Sequence, residues 1–314
     1  MRGEFQFIEN LKSNFNLNLI GDDCAILPKN DEYDLLITSD VLVENIDFQI
    51  NWNMPQALGY KCLAVSLSDI ASMGGIPRYF LVTFGITKET WNSNLIDRFY
   101  EGIFELASVW NVTLVGGDIS SVTDSCFFET TVLGEIEKGK AIRRSTANPG
   151  DLIYVSGELG GAAAGLKVLG EGMRGKQAAN LIKRQLYPQP RVDIGRQLLE
   201  SQIATAMIDI SDGLSGDLRR ICAASNVGAN IYSANIPIDK NISNKLFSRE
   251  TARAFALNGG EDFELLFTVS VKDAGSKHLE KYFCIGEITA APNEINFITG
   301  DNVTELDTQG FTHF

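Results

Sequence analysis

The sequence predicts two domains of the α/β or α+β class. Apolar runs typical of strands alternate with small-residue and amphipathic stretches typical of helices. The 314 residues exceed what one ordinary core needs and suit two domains. A turn signal, Ala-Asn-Pro-Gly-Asp, separates two strand patterns near residues 145–151. We therefore expect an N-terminal domain at 1–146 and a C-terminal domain at 147–314.

Apolar segments bounded by Gly, Pro, Asn or Ser predict the strands, which are 34–39, 79–86, 112–115, 127–136, 152–157, 206–210, 264–269 and 283–288. Helical patterns cover 55–73, 92–110, 161–169, 175–186, 191–201 and 214–225. The first helix opens with Pro55 and ends before Gly74 and Pro77, which is the residue asymmetry favoured at helix ends.

Composition and charge exclude several functional classes. With 44% hydrophobic and 21% charged residues, the chain can bury sizeable cores. The net charge of −13 disfavours nucleic-acid binding. An acidic protein that handles phosphates needs metal ions to invert the local field, although ordinary solubility explains the charge equally well. No apolar run of 18 residues predicts a membrane span, and residues 1–18 lack a signal-peptide pattern, so we expect a cytoplasmic protein.

Cysteine and histidine usage narrows the chemistry further. The five cysteines are far apart and never form a Cys-x-x-Cys pair, which is typical of reduced, mostly buried thiols. His278 and His313 are the two histidines, and neither lies near another ligand-like cluster. A histidine-based metal site or a Ser-His-Asp triad is therefore not expected.

Acidic residues recur at the ends of apolar runs beside Gly, Ser or Thr, in the segments 21–23, 38–40, 116–118, 209–213 and 259–262. Asp69 differs, because it lies within a helical stretch of small residues. Mg²⁺ prefers carboxylate, hydroxyl and water oxygens shared with substrate phosphates. A single Asp after Gly is more often a turn residue or a helix N-cap, as Asp212 could be for the helix at 214–225. The recurrence in five segments favours a shared metal–phosphate site.

Residues 170–176 match both a dinucleotide-binding pattern and the first positions of a P-loop, but their context fits neither. The segment follows a helical pattern instead of a strand, and Gln177 stands where a P-loop needs a hydroxyl. We interpret it as a helix–helix loop. The turn at Gly160 and Gly161, between a strand and a helix, is a better candidate for an anion site, though a simple tight turn is as good an interpretation.

Characteristic sequence blocks follow one another along the chain in a fixed order. They are GDDCAIL (21–27), TSDVLVENIDF (38–48), GYKCLAVSLSDIASMG (59–74), VGGDISS (115–121), RRSTANPGDLIYVSGELG (143–160), YPQPRVDIG (187–195), IDISDGLSGDL (208–218), NGGEDFELLFTV (258–269) and GFTHF (310–314). These blocks give the chain a resemblance to the thiamine-monophosphate kinases. It implies ATP-dependent phosphorylation of thiamine monophosphate to thiamine diphosphate. It also implies an aminoimidazole ribonucleotide synthetase-like fold of two domains, whose N-terminal domain forms a β-barrel across a homodimer and which has no P-loop.

The resemblance also implies roles for individual residues. The positions that match metal ligands, for several Mg²⁺ ions, are Asp23, Thr38, Ser39, Asp40, Asp69, Asp118, Asp209 and Asp212. Those that match nucleotide contacts are Tyr100, Gly117, Asp118, Arg144 and Ser211. Those that match substrate contacts are Asp47, Glu261 and Phe311, although other members often carry His at the position of Asp47. Asp22 and Asp262 are interpreted as structural, and the site is expected in the cleft between the domains.

No residue is assigned as a covalent or acid–base catalyst, because the acceptor is a phosphate monoester that is already ionised at pH 7. Two alternatives stay open at this point. A related enzyme could use ATP on another acceptor, but the Cys–Lys pair of selenophosphate synthetases and the C-terminal Cys of hydrogenase-maturation relatives have no match. A degenerate, non-catalytic Mg-nucleotide-binding protein would have lost some of the aspartates, and none is lost.

Overall fold

The computed structural model describes residues 3–52, 54–242, 245–306 and Gly310, which form two domains, each with one mixed β-sheet. In the first domain the sheet order is β1-β2-β5-β3-β4. Its strands are β1 Ala25–Pro28, β2 Tyr33–Val43, β3 Ile76–Ile86, β4 Thr113–Ser121 and β5 Phe127–Glu137. The helices before and between them are α1 Glu4–Phe15, α2 Pro55–Ser72, α3 Lys88–Trp91 and α4 Leu95–Trp110.

The second sheet has seven strands in the described part of the chain, in the order β12-β11-β8-β10-β6-β9-β7. They are β6 Leu152–Val155, β7 Ala204–Asp209, β8 Gly228–Tyr232, β9 Leu265–Val269, β10 Phe283–Thr289, β11 Ile295–Thr299 and β12 Asn302–Glu305. The helices are α5 Gly161–Gly170, α6 Lys176–Leu186, α7 Val192–Ser201, α8 Leu214–Ser225 and α9 Arg249–Asn258.

The predicted elements are present, but several bounds differ. The strand expected at 34–39 continues to Val43, and the strand expected at 79–86 begins at Ile76. The helix expected at 92–110 begins at Leu95, after the separate short α3. The strand expected at 112–115 continues through the two glycines to Ser121. The sequence interpretation missed the short or weakly patterned elements, which are α1, β1, β8, α9, β11 and β12.

The first sheet buries one face under α2 and α4. Side chains of β5 alternate between buried and half-buried along its whole length, as expected of a strand with one covered face. Phe128 on this strand stacks on Phe99 of α4, with ring centroids 4.4 Å apart. These aromatic side chains form the centre of the first core.

Helix α2 is the central helix of the molecule. All its residues except Gln56 and Asp69 are buried, because it packs on the first sheet and also contacts β7 and α7 of the second domain. Glycines allow these close contacts. A Cβ on Gly59 would lie 1.9 Å from the Phe99 carbonyl oxygen of α4, and a Cβ on Gly195 would lie 2.0 Å from the Ala71 carbonyl oxygen. The helix therefore has a fixed position relative to both domains.

The described cysteines are all free thiols, and only Cys284 among them is partly exposed. Within the described ranges, the helices lack the combination of length and apolar character that crossing a membrane requires.

Candidate metal and phosphate site

Three aspartates from distant parts of the sequence meet beside α2. Asp23 precedes β1, Asp69 lies on α2 and Asp209 ends β7. One carboxylate oxygen from each lies within 4.8 Å of the others. Two of the aspartates come from the first domain and one from the second, so the cluster lies where the domains meet.

Small polar side chains hold the three clustered aspartates and the neighbouring Asp40 in place, and we call these four residues the acidic cluster. Three buried serines of α2 each donate a hydrogen bond to a different aspartate. The pairs are Ser72 Oγ to Asp23 Oδ2 at 2.7 Å, Ser66 Oγ to Asp40 Oδ2 at 2.8 Å, and Ser68 Oγ to Asp209 Oδ2 at 2.6 Å. Thr38 of β2 donates in turn to Asp69. These serines had no assigned role in the sequence interpretation, although polar residues on a helix that is buried on all sides were a usable signal.

The cluster concentrates negative charge where water is scarce. Desolvation raises the pKa of Asp69 well above its ordinary value, and the carboxylates of Asp40 and Asp209 raise it further. Desolvation likewise raises the pKa of Asp209, with Asp23 as the next cause. The pKa of Asp40 rises to about 6, again chiefly through desolvation. A set of crowded oxygen donors of this kind matches the preference of Mg²⁺.

Arg144 provides positive charge next to the cluster. Its Nη2 pairs with Asp23, and its backbone N–H donates to Asp22 Oδ1 at 3.0 Å, which agrees with the structural role expected of Asp22. Burial alone would lower the pKa of this guanidinium, but the Asp23 carboxylate raises it above its ordinary value. Arg144 Nε is buried and has no hydrogen-bond partner within the described residues. A buried guanidinium with a free donor is suited to binding an anionic oxygen.

Asp212 lies on the second-domain side of the site and does not cap α8. Its carboxylate pairs with Arg220, and the N-cap position belongs to Gly213 without a side-chain hydrogen bond. The buried Asp217, which sequence reasoning missed, accepts a hydrogen bond from Asp212 N at 3.1 Å and pairs with Arg220. Burial raises the pKa of Asp217 to about 7. The Ser211 carbonyl accepts a hydrogen bond from Glu261 N at 2.8 Å. This bond joins the acidic segment 209–213 to the acidic segment 259–262.

Some of the predicted residues lie apart from the cluster in the single chain. The Ser39 hydroxyl donates to Glu129 Oε1 at 2.7 Å, on the sheet face opposite to Thr38 and Asp40. Asp118 lies on the edge strand β4, which is three strands from β2 in the sheet and therefore about 14 Å from that strand.

The predicted nucleotide and substrate residues also include some that lie apart from the cluster. Gly117 is needed for strand packing, since a Cβ would lie 1.8 Å from the Val82 carbonyl oxygen. Tyr100 is half-buried on α4, where its ring packs against Phe99. Phe311 lies outside the described residues.

An open cavity of about 200 Å³ lies beside the first turns of α2. Its lining is largely apolar, with Phe48, Ile50 and Trp52 among the wall residues. Asp47 lines it, as does Lys61, whose Nζ pairs with Glu261 Oε1 at 2.5 Å. Two of the predicted substrate residues, Asp47 and Glu261, are therefore at or beside one cavity.

Of the two interpretations of the turn at Gly160 and Gly161, the structure contradicts the anion site. The N-terminus of α5 already binds a carboxylate of the chain itself, because Gly160 N and Ala162 N donate to Asp262 at 2.5 and 3.0 Å. Asp262 is thus structural, as expected. Residues 171–175 connect α5 to α6, so the segment that matched the P-loop pattern is a helix–helix loop, also as expected.

Asp262→Asn is expected to destabilise the protein by about 1–3 kcal/mol at pH 5 and by less at pH 8. Burial raises the pKa of Asp262 to about 7, although Arg184 opposes the shift. Between the unfolded pKa near 4 and this value the folded state binds more protons, so the wild type loses stability from this group as the pH rises. Asparagine does not titrate. Urea unfolding of both proteins at the two pH values tests the prediction, and a destabilisation that grows with pH contradicts it.

Comparison with protein families agrees with this geometry. The description "AIR synthase related protein, N-terminal domain" matches residues 21–136, and the corresponding C-terminal domain matches residues 148–296. A thiamine-monophosphate kinase of Buchnera aphidicola subsp. Acyrthosiphon pisum is 39% identical over 98% of this chain and 96% of its own length. One of Bacillus subtilis is 40% identical over 80% of this chain and 77% of its own length.

A solved structure agrees with the sequence comparison. AaThiL complexed with AMPPCP and TMP has a TM-score of 0.88 and 29% sequence identity to this chain, covering 99% of it and 97% of the AaThiL chain. The similarity extends through both domains. The chain belongs to the AIR synthase related family and, within it, to the thiamine-monophosphate kinases.

Proposed function

We propose that this chain transfers the γ-phosphoryl group of ATP to thiamine monophosphate, giving ADP and thiamine diphosphate. The observation that carries the proposal is the aspartate cluster at the junction of the domains, whose carboxylates lie within 4.8 Å of one another. Membership of the thiamine-monophosphate kinases supports the choice of acceptor. The AMPPCP and TMP bound by AaThiL, which has the same fold, are an ATP analogue and a ligand that we take as thiamine monophosphate.

The donor set fits Mg²⁺. Several ions would be held by Asp23, Asp69 and Asp209, with Asp40 beside them and with Thr38 and Asp212 as further oxygen ligands. Ser39 and Asp118, which lie apart from the cluster in the single chain, would be ligands only in the dimer proposed below. Bound Mg²⁺ supplies neutralisation of the charge on the phosphates. The raised pKa values of Asp40, Asp69 and Asp209 support this assignment. They mean that the ionised carboxylates are disfavoured in the metal-free protein, and a nearby cation would stabilise the ionised form.

The residues of the chain position two anions for direct in-line transfer, without a covalent intermediate. The acceptor phosphate has its second pKa near 6, so it is nucleophilic at pH 7 and requires no protein base. Arg144, with its unpartnered Nε, would bind a phosphate oxygen of the nucleotide. The other residues that we assign as contacts of the nucleotide are Ser211, Gly117, Asp118 and Tyr100.

The substrate residues would be Asp47, Glu261 and Phe311. Asp47 lines the cavity beside α2, and Glu261 pairs with its wall residue Lys61. Along α2, Lys61 is seven residues before Ser68, a rise of about 10 Å. That spacing is comparable to the length of an extended thiamine monophosphate, so its rings could occupy the cavity while its phosphate reaches the aspartates.

We also propose that the chain acts as a homodimer in which the first sheets of two copies form a β-barrel, and that its domains divide between residues 146 and 147. The outer face of the first sheet supports the dimer, because Val41, Tyr79 and Val115 are each 48–55% exposed there. A partner's edge strand would also bring Gly117 and Asp118 to a cluster that they do not reach in the single chain. Sedimentation at micromolar concentration should show a dimer, and a monomer would refute this proposal.

Incubation of the purified protein with ATP, Mg²⁺ and thiamine monophosphate tests the function. Thiamine diphosphate and ADP should form in equal amounts, and chelation of Mg²⁺ by EDTA should stop the reaction. A protein that hydrolyses ATP without forming thiamine diphosphate, or that leaves both substrates unchanged, would refute the proposed function.

A further inference from the structure

Gln185 of α6 is a buried wall residue of the cavity beside α2, and the functional assignments above give it no role. It is 1% exposed and lines the cavity together with Asp47 and Lys61. Its Nε2 donates to Glu261 Oε2 at 2.5 Å. The other Glu261 oxygen pairs with Lys61 Nζ, so this carboxylate is held from both domains.

The orientation of the Gln185 amide follows from this contact. An ionised carboxylate only accepts hydrogen bonds, so the NH₂ group must face Glu261 and Oε1 must point the other way. The Glu261 carboxylate is held in place, because Lys61 Nζ pairs with its Oε1 at 2.5 Å. Gln185 Oε1 is buried and has no hydrogen-bond partner within the described residues. Gln185 is therefore a wall residue of a largely apolar cavity whose buried amide oxygen is an oriented acceptor without a partner among the described residues.

We propose that Gln185 Oε1 accepts a hydrogen bond from the exocyclic amine of the substrate's aminopyrimidine ring and so selects for that amine. The inference rests on the proposed function, that is, on thiamine monophosphate as the substrate. In that molecule the thiazolium ring has no N–H group and the ionised phosphate only accepts, so the amine is the available neutral donor. A flat heteroaromatic ring also suits a cavity lined by Phe48, Ile50 and Trp52.

The test compares thiamine monophosphate with an analogue in which hydrogen replaces the amine. For the wild type, kcat/KM and equilibrium affinity should both be about 10–100-fold lower with the analogue, because the buried acceptor then stays unpaired. In Gln185→Met, which keeps the side-chain length, this preference should fall to within about 3-fold. A wild type that binds both ligands equally, or a methionine variant that keeps the full preference, overturns the proposal.

The design separates this proposal from the proposed function. Binding with the amine preference but without turnover would refute the function alone, whereas turnover of both ligands at equal kcat/KM would refute the Gln185 assignment alone. A purely structural role, through loss of the Glu261 contact, would weaken both ligands equally and leave their ratio unchanged. The wild-type comparison decides the question even if methionine destabilises the fold. Gln189→Met is the matched control, because Gln189 is exposed, bonds Tyr60 Oη at 2.7 Å and lines no part of the cavity.

Discussion

Replacing Asp69 by asparagine is expected to lower kcat for phosphoryl transfer by on the order of 10³-fold while making the metal-free protein more stable. Asparagine preserves the size of the side chain and can still accept the hydrogen bond from Thr38. However, the substitution removes the negative charge of the Asp69 carboxylate, which we assign as a ligand of Mg²⁺. The stability should rise because desolvation and the neighbouring carboxylates raise the pKa of Asp69, which means that its ionised form destabilises the folded state.

Thiamine diphosphate formation and thermal unfolding, each measured with Mg²⁺ and with EDTA, test both parts of this prediction. Mg²⁺ should raise the melting temperature of the wild type more than that of the variant. Asp31→Asn is a suitable control, since Asp31 is exposed in the turn between β1 and β2. Wild-type turnover in the Asp69 variant would refute the cluster mechanism, and a lower melting temperature in EDTA would refute the electrostatic argument.

Gly59→Ala is expected to cost about 3 kcal/mol of folding free energy. The added Cβ would lie 1.9 Å from the Phe99 carbonyl oxygen, which is backbone and cannot rotate away. The reciprocal contact is equally close, because a Cβ on Gly102 of α4 would lie 1.9 Å from the Gln56 carbonyl oxygen of α2. The two helices must therefore separate to accept even one methyl group, which opens the first core around Phe99 and Phe128.

Urea unfolding of wild type and variant measures this loss. The control is Gly170→Ala at the end of α5, where a Cβ would meet nothing within 4 Å. That substitution should be neutral or stabilise the protein by up to about 1 kcal/mol, since alanine favours helix more than glycine does. Equal effects at the two glycines would show that helix propensity, and not the contact between α2 and α4, determines the result.

How far the sequence predicts this fold depends on the length and burial of each segment. The helix expected at 55–73 and the strand expected at 127–136 are long and mostly buried, and the structure has them as α2 and β5 within one residue at each end. Strand β4 was predicted too short because its Gly-Gly-Asp resembles a turn, whereas in the structure it continues as an exposed edge strand. Strands β11 and β12 have five and four residues, and β11 is mostly half-buried while β12 is exposed, so they leave little pattern to detect.

The site shows a similar division. Aspartates at strand ends could be grouped from sequence alone, because their local context repeats. The groups that orient them could not, since Ser68 reaches Asp209 and Arg144 reaches Asp23 only through the packing of the domains. Gln185 gave no local signal either, because its contact with Glu261 joins residues that are 76 positions apart.

The central position of α2 has a consequence for modularity. Its serines donate hydrogen bonds to Asp23 and Asp40 of the first domain and to Asp209 of the second. A single helix therefore positions carboxylates that belong to two separate domains. The first domain carries Asp23, Asp40 and Asp69 but not Asp209, so neither half of the chain holds the complete acidic cluster. Docking of the domains and assembly of the site are thus one thermodynamic event, and gene fragments that encode single domains would not retain partial catalytic competence.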